Sequence, residues 1–416
     1  MAEIAIPPAP RPRTSLSRPL MAGVVTALVG FTSSFAVVLT GLTAVGATHP
    51  QAASGLLALS LTMGVACIVL AWRYRMPITS AWSTPGAALL AASGAIEGGW
   101  PAAVGAFLIV AGLILLTALV PQIGSLIAAI PPSIAQAMLA GVLLPLCLAP
   151  IAGLGKNPWG VIPVVLTWLV FARLAPRWAV PLAFLAATVV IVVGIVTGGG
   201  STGSRTGTGS GSGLDPAALD PIALLPHLEF TMPTLTVGAL VGIALPLFIV
   251  TMASQNVPGV AVMRSFGYEV PWRPAMLATG IGSALGAPAG GHAINLAAIS
   301  AALAAAPDAE PDPKRRWIAG VSTGVSYLVL GGFSAAFAAL VVLAPAAVIP
   351  AVAGLALFGA FGSAVQQAID DPGERTPAVV TFLVAASGMA FWGVSAAFWA
   401  LLAGLLVRAV LHLGRR

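Results

Sequence analysis

Charged side chains are scarce in this sequence. Asp, Glu, Lys and Arg make up 7% of its 416 residues, whereas hydrophobic residues make up 58%. A soluble domain usually carries about 25% charged residues. Surface-to-volume scaling limits how much apolar surface a water-soluble core can bury, and the mean hydropathy here is +1.01. The scarcity of charge therefore excludes an ordinary water-soluble protein and indicates a chain that lies in a lipid bilayer.

Cysteine and catalytic motifs are also scarce. Cys67 and Cys147 are the two cysteines, and both lie inside apolar runs. That setting is typical of small core residues rather than of a disulfide or a metal site. The sequence has no HExxH or Walker motif, no paired carboxylates inside an apolar run and no sizeable soluble domain. We therefore expect no metal, no cofactor and no enzymatic activity, and we disfavour an ATP-driven pump.

The formal net charge of +6 does not indicate nucleic-acid binding, because the basic residues lie in short clusters between apolar runs. Such clusters are typical of loops that flank membrane spans. When both termini are placed inside, all of the 18 lysines and arginines except Lys156 and Arg205 fall on the cytoplasmic side. This distribution predicts a multi-pass protein of the bacterial inner membrane with an even number of spans and both termini cytoplasmic.

Long apolar runs dominate the rest of the sequence. A helical span needs about 20 apolar residues, and fourteen runs are candidates, although several are short enough that twelve spans stay an alternative. The runs are 20–47, 52–72, 78–96, 101–120, 132–151, 158–175, 178–197, 235–258, 272–287, 288–306, 316–342, 343–366, 376–392 and 393–412. The fold class is therefore an all-α polytopic membrane protein. The first run exceeds the roughly 7–15 residues of a signal-peptide core, so residues 1–19 are interpreted as a disordered cytoplasmic tail.

A low-complexity stretch divides the chain. Residues 198–213 read GGGSTGSRTGTGSGSG, a composition typical of a flexible linker. The linker, taken as 198–234 and placed in the periplasm, separates two halves of seven spans each. This division suggests an internal duplication.

Two apolar segments, 77–92 and 286–302, do not resemble ordinary spanning helices. Each begins with a polar stretch containing Gly or Pro and continues as an Ala- and Leu-rich helix. Thr84 before Pro85 suits a helix N-cap, and Gly291 before His292 permits an irregular backbone. Both segments are the third span of their half, and paired interruptions of this kind point to a midplane site between inverted repeats. Two merely kinked helices are the alternative.

The first span of each half carries a further polar cluster. Ser33 and Ser34 lie in the string FTSSF, and Ser254, Gln255 and Asn256 lie in TMASQNVPG. Polar residues in mid-span usually face the interior of a helix bundle. They could contact a substrate or hold helices together, and for Ser33 and Ser34 the two interpretations are equally supported.

Three strings carry a resemblance to a known family. AWSTPGAALL from Ala81, LPLFIVTMASQNVPGVAVMR from Leu245 and AINLAAISAA from Ala293 resemble the BenE-type benzoate–proton symporters. That family is related to the nucleobase and SLC26-type carriers, so the resemblance implies a 7+7 inverted repeat with broken third and tenth spans. It also implies a homodimer, a core domain formed by 20–120 and 235–342, and a gate domain formed by 121–197 and 343–416.

The sequence departs from the nucleobase carriers at the expected site. Those carriers place carboxylates in the eighth and tenth spans, whereas the matching stretches here offer Ser254, Gln255, Asn256 and His292. A site without an embedded carboxylate is poorly suited to the N–H groups of a nucleobase, but it does not repel an anion.

These observations predict a secondary transporter that imports benzoate or a similar aromatic carboxylate with a proton. A carrier of the same fold for a nucleobase or an inorganic anion, or an anion channel, stays an alternative. Half-helix dipoles contribute up to about 2 kcal/mol each, so hydrogen bonds must also stabilise the carboxylate. The expected substrate-contacting residues are Ser33, Ser34, Trp82, Ser83, Thr84, Gly86, Ser254, Gln255, Asn256, Gly291, His292 and Asn295. His292 is a candidate carrier of the proton, and the substrate's own carboxyl group is the other.

Overall fold

The computed structural model describes residues 16–120, 122, 130–196, 225–389, 391 and 394–413. The predicted tail before residue 16, the low-complexity stretch 198–213 and Arg205 lie outside these residues. The part of the chain that the structure describes is mostly helical. The helices are α1 (Ser17–Thr32), α2 (Phe35–Ala44), α3 (His49–Tyr74), α4 (Thr84–Ser93), α5 (Gly99–Leu119), α6 (Pro132–Lys156), α7 (Pro158–Leu174), α8 (Ala179–Val196), α9 (Val237–Ser265), α10 (Trp272–Gly286), α11 (Ile299–Ala305), α12 (Trp317–Gly331), α13 (Ser334–Leu343), α14 (Val348–Ile369), α15 (Arg375–Ala386) and α16 (Ala396–His412).

Within the described ranges, seven helical segments are long and apolar enough to cross a membrane by themselves. They are Ser17–Ala44, His49–Tyr74, Gly99–Leu119, Pro132–Lys156, Pro176–Val196, Val237–Ser265 and Val348–Ile369. An eighth span results if Pro313–Gly331 and Ser334–Leu343, which meet at a bend of 56°, are taken together. α7, α15 and α16 are shorter apolar helices. The first helix begins at Ser17, three residues inside the predicted tail.

Two short strands interrupt the helical pattern where the sequence predicts broken spans. β1 (Ser80–Trp82) precedes α4, and β2 (Ile294–Leu296) precedes α11. The strands pair antiparallel, with Ala81 opposite Asn295. One residue separates β1 from α4 and two separate β2 from α11, so two helices start close to one small ribbon.

The helices fall into two packing groups. α1 and α3 pack on α12, and α5 packs on α10, around the β1–β2 ribbon. In the second group, α6 packs on α14 and α15, α15 packs on α16, and α7 packs on α8. The ribbon therefore lies within the first group, next to the surface that faces α6 and α14.

α9 is not a uniform α-helix. Leu240–Ala244 and Met252–Asn256 have π-helical hydrogen bonds, and α-helical turns lie on both sides of each. Short π-helical insertions occur frequently at functional sites. The second insertion contains Ser254, Gln255 and Asn256, so this polar string lies where the helix is widened.

The end of the predicted linker does not lie free in solution. Residues 225–236 run extended over the first packing group, where the Thr231 N–H donates to the Pro288 carbonyl at 2.8 Å. The Thr234 N–H donates to the Pro101 carbonyl at 3.0 Å. The stretch predicted to be flexible, 198–213, lies outside the described residues, whereas the end of the wider linker 198–234 forms backbone hydrogen bonds to the helices.

Candidate functional site

A cavity of about 110 Å³ lies between the two packing groups, beside the β1–β2 ribbon. One water needs roughly 10–15 Å³ on this measure, so the cavity has room for a small organic molecule. Side chains from α1, α3, α9, α12 and both broken segments line one side, and residues of α6 and α14 line the other.

Five of the predicted substrate-contacting residues line this cavity: Ser33, Ser34, Trp82, Thr84 and Gln255. They come from three separate parts of the chain, and the fold brings them together. The remaining seven, Ser83, Gly86, Ser254, Asn256, Gly291, His292 and Asn295, are not part of the lining.

The two serines and the tryptophan form one hydrogen-bonded group. The indole Nε1–H of Trp82 donates to Ser34 Oγ at 2.8 Å. The hydroxyls of Ser33 and Ser34 donate in turn to the Gly30 carbonyl, at 2.9 and 3.3 Å. Because α1 ends at Thr32 and α2 starts at Phe35, these serines lie at a break in the helix, where a side chain can reach the backbone of the preceding turn.

Ser83 caps α4. Its hydroxyl oxygen accepts the Gly86 N–H at 3.1 Å, and Thr251 donates to the same oxygen at 2.8 Å. Thr84 is thus the first helical residue rather than the N-cap that the sequence predicts, because Ser83 keeps an extended conformation and its side chain reaches the N–H three residues on. The positive end of the α4 dipole therefore lies at the cavity, where Thr84 forms part of the wall.

Asn256 supports the ribbon. Its Oδ1 accepts the Leu296 N–H at 2.8 Å, so the amide side chain satisfies a backbone donor of β2 that has no strand beside it. The neighbouring Gln255 lines the cavity instead, because successive residues of a helix point in different directions. Ser254 Oγ is buried without a hydrogen-bond partner in the described part of the chain.

His292 links the two broken segments. The residue is fully buried, and its Nε2 lies 3.0 Å from the carbonyl oxygen of Ser83. A carbonyl can only accept, so Nε2 carries the proton and Nδ1 has a free lone pair, which finds no partner among the described atoms. The imidazole is thus a cross-link from the second broken segment to the cap of α4.

Two glycines permit close packing around the ribbon. A Cβ atom at Gly86 would overlap the Leu247 side chain of α9, and one at Gly291 would lie 3.1 Å from the Gly286 carbonyl oxygen. Both positions therefore act through the backbone and the packing of helices rather than through a side chain that could contact a substrate.

Tyr327 and Ser300 line the cavity but were missed in the sequence. Tyr327 is buried, and its hydroxyl lies next to Ser300. The hydroxyl also packs closely on Gly30, where an added Cβ atom would lie 2.5 Å from it. A single tyrosine within a long apolar run could have been noticed as a mid-membrane polar group. Ser300 lies in an Ala-rich helix and gave no comparable signal.

Aromatic rings surround the Trp82 side of the cavity. Phe31 contacts Trp82 edge to face at a centroid distance of 5.1 Å, and it contacts Phe337 at 5.0 Å. Such contacts stabilise aromatic pairs by about 0.5–1.5 kcal/mol beyond simple burial. They hold the indole in a fixed orientation toward Ser34.

The cavity is electrically neutral. None of the described residues that line it is charged, and their polar side-chain groups are hydroxyls, the indole N–H of Trp82 and one carboxamide. No group of three or more His, Cys, Asp or Glu side chains that could hold a metal ion occurs in the ranges that the structure covers. The cavity can therefore offer hydrogen bonds, a helix dipole and apolar contacts, but no full charge from the protein.

A second cavity of similar volume lies between α6, α14 and α15. Its wall is apolar and includes Ala140, Val365 and Phe382. Without polar groups, this cavity cannot orient a carboxyl group.

Comparison with known proteins agrees with the geometry. Residues 14–410 match the family described as benzoate membrane transport protein, BenE. The chain is 36% identical to the inner membrane protein YdcO of Escherichia coli (strain K12) over 95% of this chain and 96% of that protein. It is 30% identical to the benzoate membrane transport protein of Acinetobacter baylyi (strain ATCC 33305 / BD413 / ADP1), with 85% of each covered.

Solved structures share the fold. The transmembrane domain of the cyanobacterial bicarbonate transporter BicA superimposes with a TM-score of 0.58 at 15% identity, covering 96% of this chain and 97% of that one. SLC26A9 superimposes with a TM-score of 0.57 at 13% identity, covering 97% of this chain and 67% of that one. At these identities the likeness concerns the fold alone.

Proposed function

Because the chain belongs to the BenE family of benzoate membrane transport proteins, we propose that it imports benzoate or a similar aromatic carboxylate with a proton. The family and the relative from Acinetobacter baylyi are described as benzoate membrane transport proteins, and the chain is a membrane transporter rather than an enzyme. Transport would be secondary and active, driven by the proton gradient across the bacterial inner membrane.

The cavity beside α4 is the observation that carries this proposal. It combines the positive end of a helix dipole and a carboxamide at Gln255 with an apolar wall that includes Trp82 and Leu357. A carboxyl group needs hydrogen-bond donors, and an aromatic ring needs apolar surface. The cavity supplies both within a volume of about 110 Å³.

We assign two roles to the predicted residues. Those in the wall, Ser33, Ser34, Trp82, Thr84 and Gln255, would contact the substrate. The others would hold the wall in position: Ser83 and Gly86 at the start of α4, Ser254 and Asn256 in the π-helical insertion, and Gly291, His292 and Asn295 in the second broken segment. Positioning residues matter here because the wall is assembled from segments far apart in the sequence.

Two carriers of the proton are proposed in competition. His292 has an Nδ1 lone pair without a partner among the described atoms, and its Nε2 contacts the carbonyl of Ser83 at the start of α4, which supports a role in proton coupling. His292 is not part of the cavity wall, however, and this supports the substrate's own carboxyl group as the carrier.

The proposed architecture has fourteen spans in two inverted halves, with 20–120 and 235–342 as core domain and 121–197 and 343–416 as gate domain. α3 packs on α12 and α5 packs on α10. In the fourteen-span numbering, α3 and α5 are the second and fourth spans of the first half, and α10 and α12 are the second and fourth spans of the second half. Each contact therefore joins the second span of one half to the fourth span of the other, and this symmetry supports an inverted repeat. Both termini would be cytoplasmic, the stretch 198–234 periplasmic, and the protein a homodimer.

Uptake into proteoliposomes tests the function. Labelled benzoate should enter with saturable kinetics and exchange against internal unlabelled benzoate, whereas a channel would show no counterflow. In competition, benzoate and substituted benzoates should displace the label, while uracil and sulfate should not. Displacement by uracil or sulfate alone would assign the carrier to a nucleobase or an inorganic anion.

A further inference from the structure

Two serine hydroxyls of the cavity wall, those of Ser33 and Ser34, already donate their protons within the protein. Ser33 Oγ and Ser34 Oγ both donate to the Gly30 carbonyl, and Ser34 also accepts from Trp82. A hydroxyl has one proton and two lone pairs, so both serines present lone pairs to the cavity. An ionised carboxylate only accepts hydrogen bonds. These serines therefore suit a ligand that donates a proton, and they oppose an anion.

Gln255 can provide both halves of a paired contact. Its side chain lines the cavity and makes no hydrogen bond to the described residues. A carboxamide has a donor at Nε2 and an acceptor at Oε1. An undissociated carboxyl group has the matching pair, an O–H donor and a C=O acceptor, whereas a carboxylate would place an oxygen against Oε1.

A further acceptor without a partner lies on the same face of the ribbon. Asn295 is opposite Ala81 in the strand register, and paired residues of antiparallel strands share a face. Ala81 and Ala297 on that face line the cavity. Asn295 is fully buried, and its Oδ1 has no hydrogen-bond partner within the described structure. Asn295 itself is not part of the lining, so the acceptors that the cavity wall presents are the lone pairs of Ser33 and Ser34 and Oε1 of Gln255.

From these contacts we infer that the cavity binds its substrate as the undissociated acid, paired through its carboxyl group with the Gln255 carboxamide. The inference rests on the proposed function and adds the ionisation state of the substrate. The acid O–H donates to Gln255 Oε1, and the acid carbonyl accepts from Gln255 Nε2. The proton then crosses the membrane on the substrate, and no side chain has to be protonated.

Benzamide distinguishes the two ionisation states. It is neutral at every pH near 7 and has an N–H donor and a C=O acceptor in the same arrangement as benzoic acid. A site that forms a hydrogen bond with a ligand's donor group binds an analogue without that donor far more weakly. Benzaldehyde has the carbonyl acceptor but no donor, so it serves as the matched control. With purified full-length protein in nanodiscs, benzamide should displace labelled benzoate, and benzaldehyde should not.

The pH dependence supplies an independent measurement. A carboxyl group with a pKa of about 4.3 is undissociated in roughly one molecule in five hundred at pH 7, and this fraction falls tenfold for each pH unit. The apparent Kd for benzoate should therefore rise about tenfold from pH 6 to pH 7 and again to pH 8. The Kd for benzamide should stay constant, which would not hold if binding required a protonated side chain.

Gln255→Met keeps the length of the side chain but removes both hydrogen-bonding atoms. It should weaken the binding of benzoate and of benzamide by the same factor, about 5- to 100-fold. Gln367→Met on the exposed side of α14 is the control and should match the parent protein. The inference is overturned if benzoate binds with a Kd independent of pH and benzamide does not compete. If benzoate itself neither binds nor is transported, the proposed function fails instead.

Discussion

The imidazole Nε2 of His292 lies 3.0 Å from the carbonyl oxygen of Ser83, so a hydrogen bond connects the second broken segment to the residue that caps α4. The two residues are 209 positions apart. Both are buried, and an N–H that loses its partner in such a place costs about 1–3 kcal/mol. This bond therefore stabilises the relative position of the two broken segments, in addition to the pairing of β1 with β2.

His292→Gln tests what the imidazole contributes. The glutamine amide can donate to the same carbonyl but cannot take up a proton near neutral pH. We expect uptake of benzoate to keep its dependence on the pH gradient in this variant, because the substrate carries the proton. His292→Leu, which removes the donor, should lower the thermal stability in detergent. Uptake that loses its pH dependence in His292→Gln would make His292 the proton carrier.

Gln255 and Asn256 are neighbours with different expected effects. Gln255→Ala removes a cavity group, so it should weaken substrate binding by about 1–3 kcal/mol at unchanged melting temperature. Asn256→Ala removes the acceptor of the Leu296 N–H, so it should lower the free energy of unfolding by a similar amount.

Calorimetric binding and thermal unfolding of the two variants separate these effects. Asn256→Asp, which keeps an acceptor for the Leu296 N–H, should recover part of the stability. Equal losses of affinity in both alanine variants, with no loss of stability, would place Asn256 in contact with the substrate.

Gly86→Ala tests the packing at the start of α4. The added methyl group would overlap Leu247 of α9, and overpacking of this kind costs about 1–3 kcal/mol. The variant should unfold at a lower temperature and transport more slowly. Gly112→Ala in α5 is the matched control, because no atom lies within 4 Å of its Cβ position. Alanine is the better helix former by about 1 kcal/mol, so the control should be as stable as the parent protein or more so.

Membrane orientation can be tested with single cysteines. A cysteine at Ser210 should react with an impermeant thiol reagent in whole cells, because the stretch 198–234 is proposed to be periplasmic. A cysteine at Asp312, beside Lys314 and Arg315, should react only after the cells are opened. Cys67 and Cys147 are buried and provide a low background. Labelling of Asp312→Cys in intact cells would show that the membrane orientation is the opposite of the one proposed.

Transport of one benzoate with one proton moves no net charge. The membrane potential acts with about 2.3 kcal/mol per charge and 100 mV, so it should neither drive nor oppose uptake. In proteoliposomes at equal pH, a potassium–valinomycin potential should leave the accumulation ratio near one, and an acidic exterior should raise it. Accumulation driven by voltage alone would require a second proton or a sodium ion.

The sequence by itself determined the class of the protein and the position of its irregular segments. Hydropathy is a sum over composition, so scarce charge and long apolar runs indicate a membrane protein before any contact is known. The interruptions at 77–92 and 286–302 were equally visible, because Gly, Pro and polar residues in mid-membrane are tolerated only where protein surrounds them. Both segments contain the extended stretch that these residues predict.

Only the tertiary structure decided which polar residues face the cavity. The direction of a side chain depends on the helical phase and on strand pairing, and a single π-helical insertion shifts that phase within α9. Gln255 thus lines the cavity while its neighbour Asn256 holds β2. Tyr327 joined the wall because α12 packs beside α1, a contact between residues about 300 positions apart. An apolar run does not indicate which other helix it will contact, because lipid tails and protein side chains are equally apolar neighbours for a helix in the membrane.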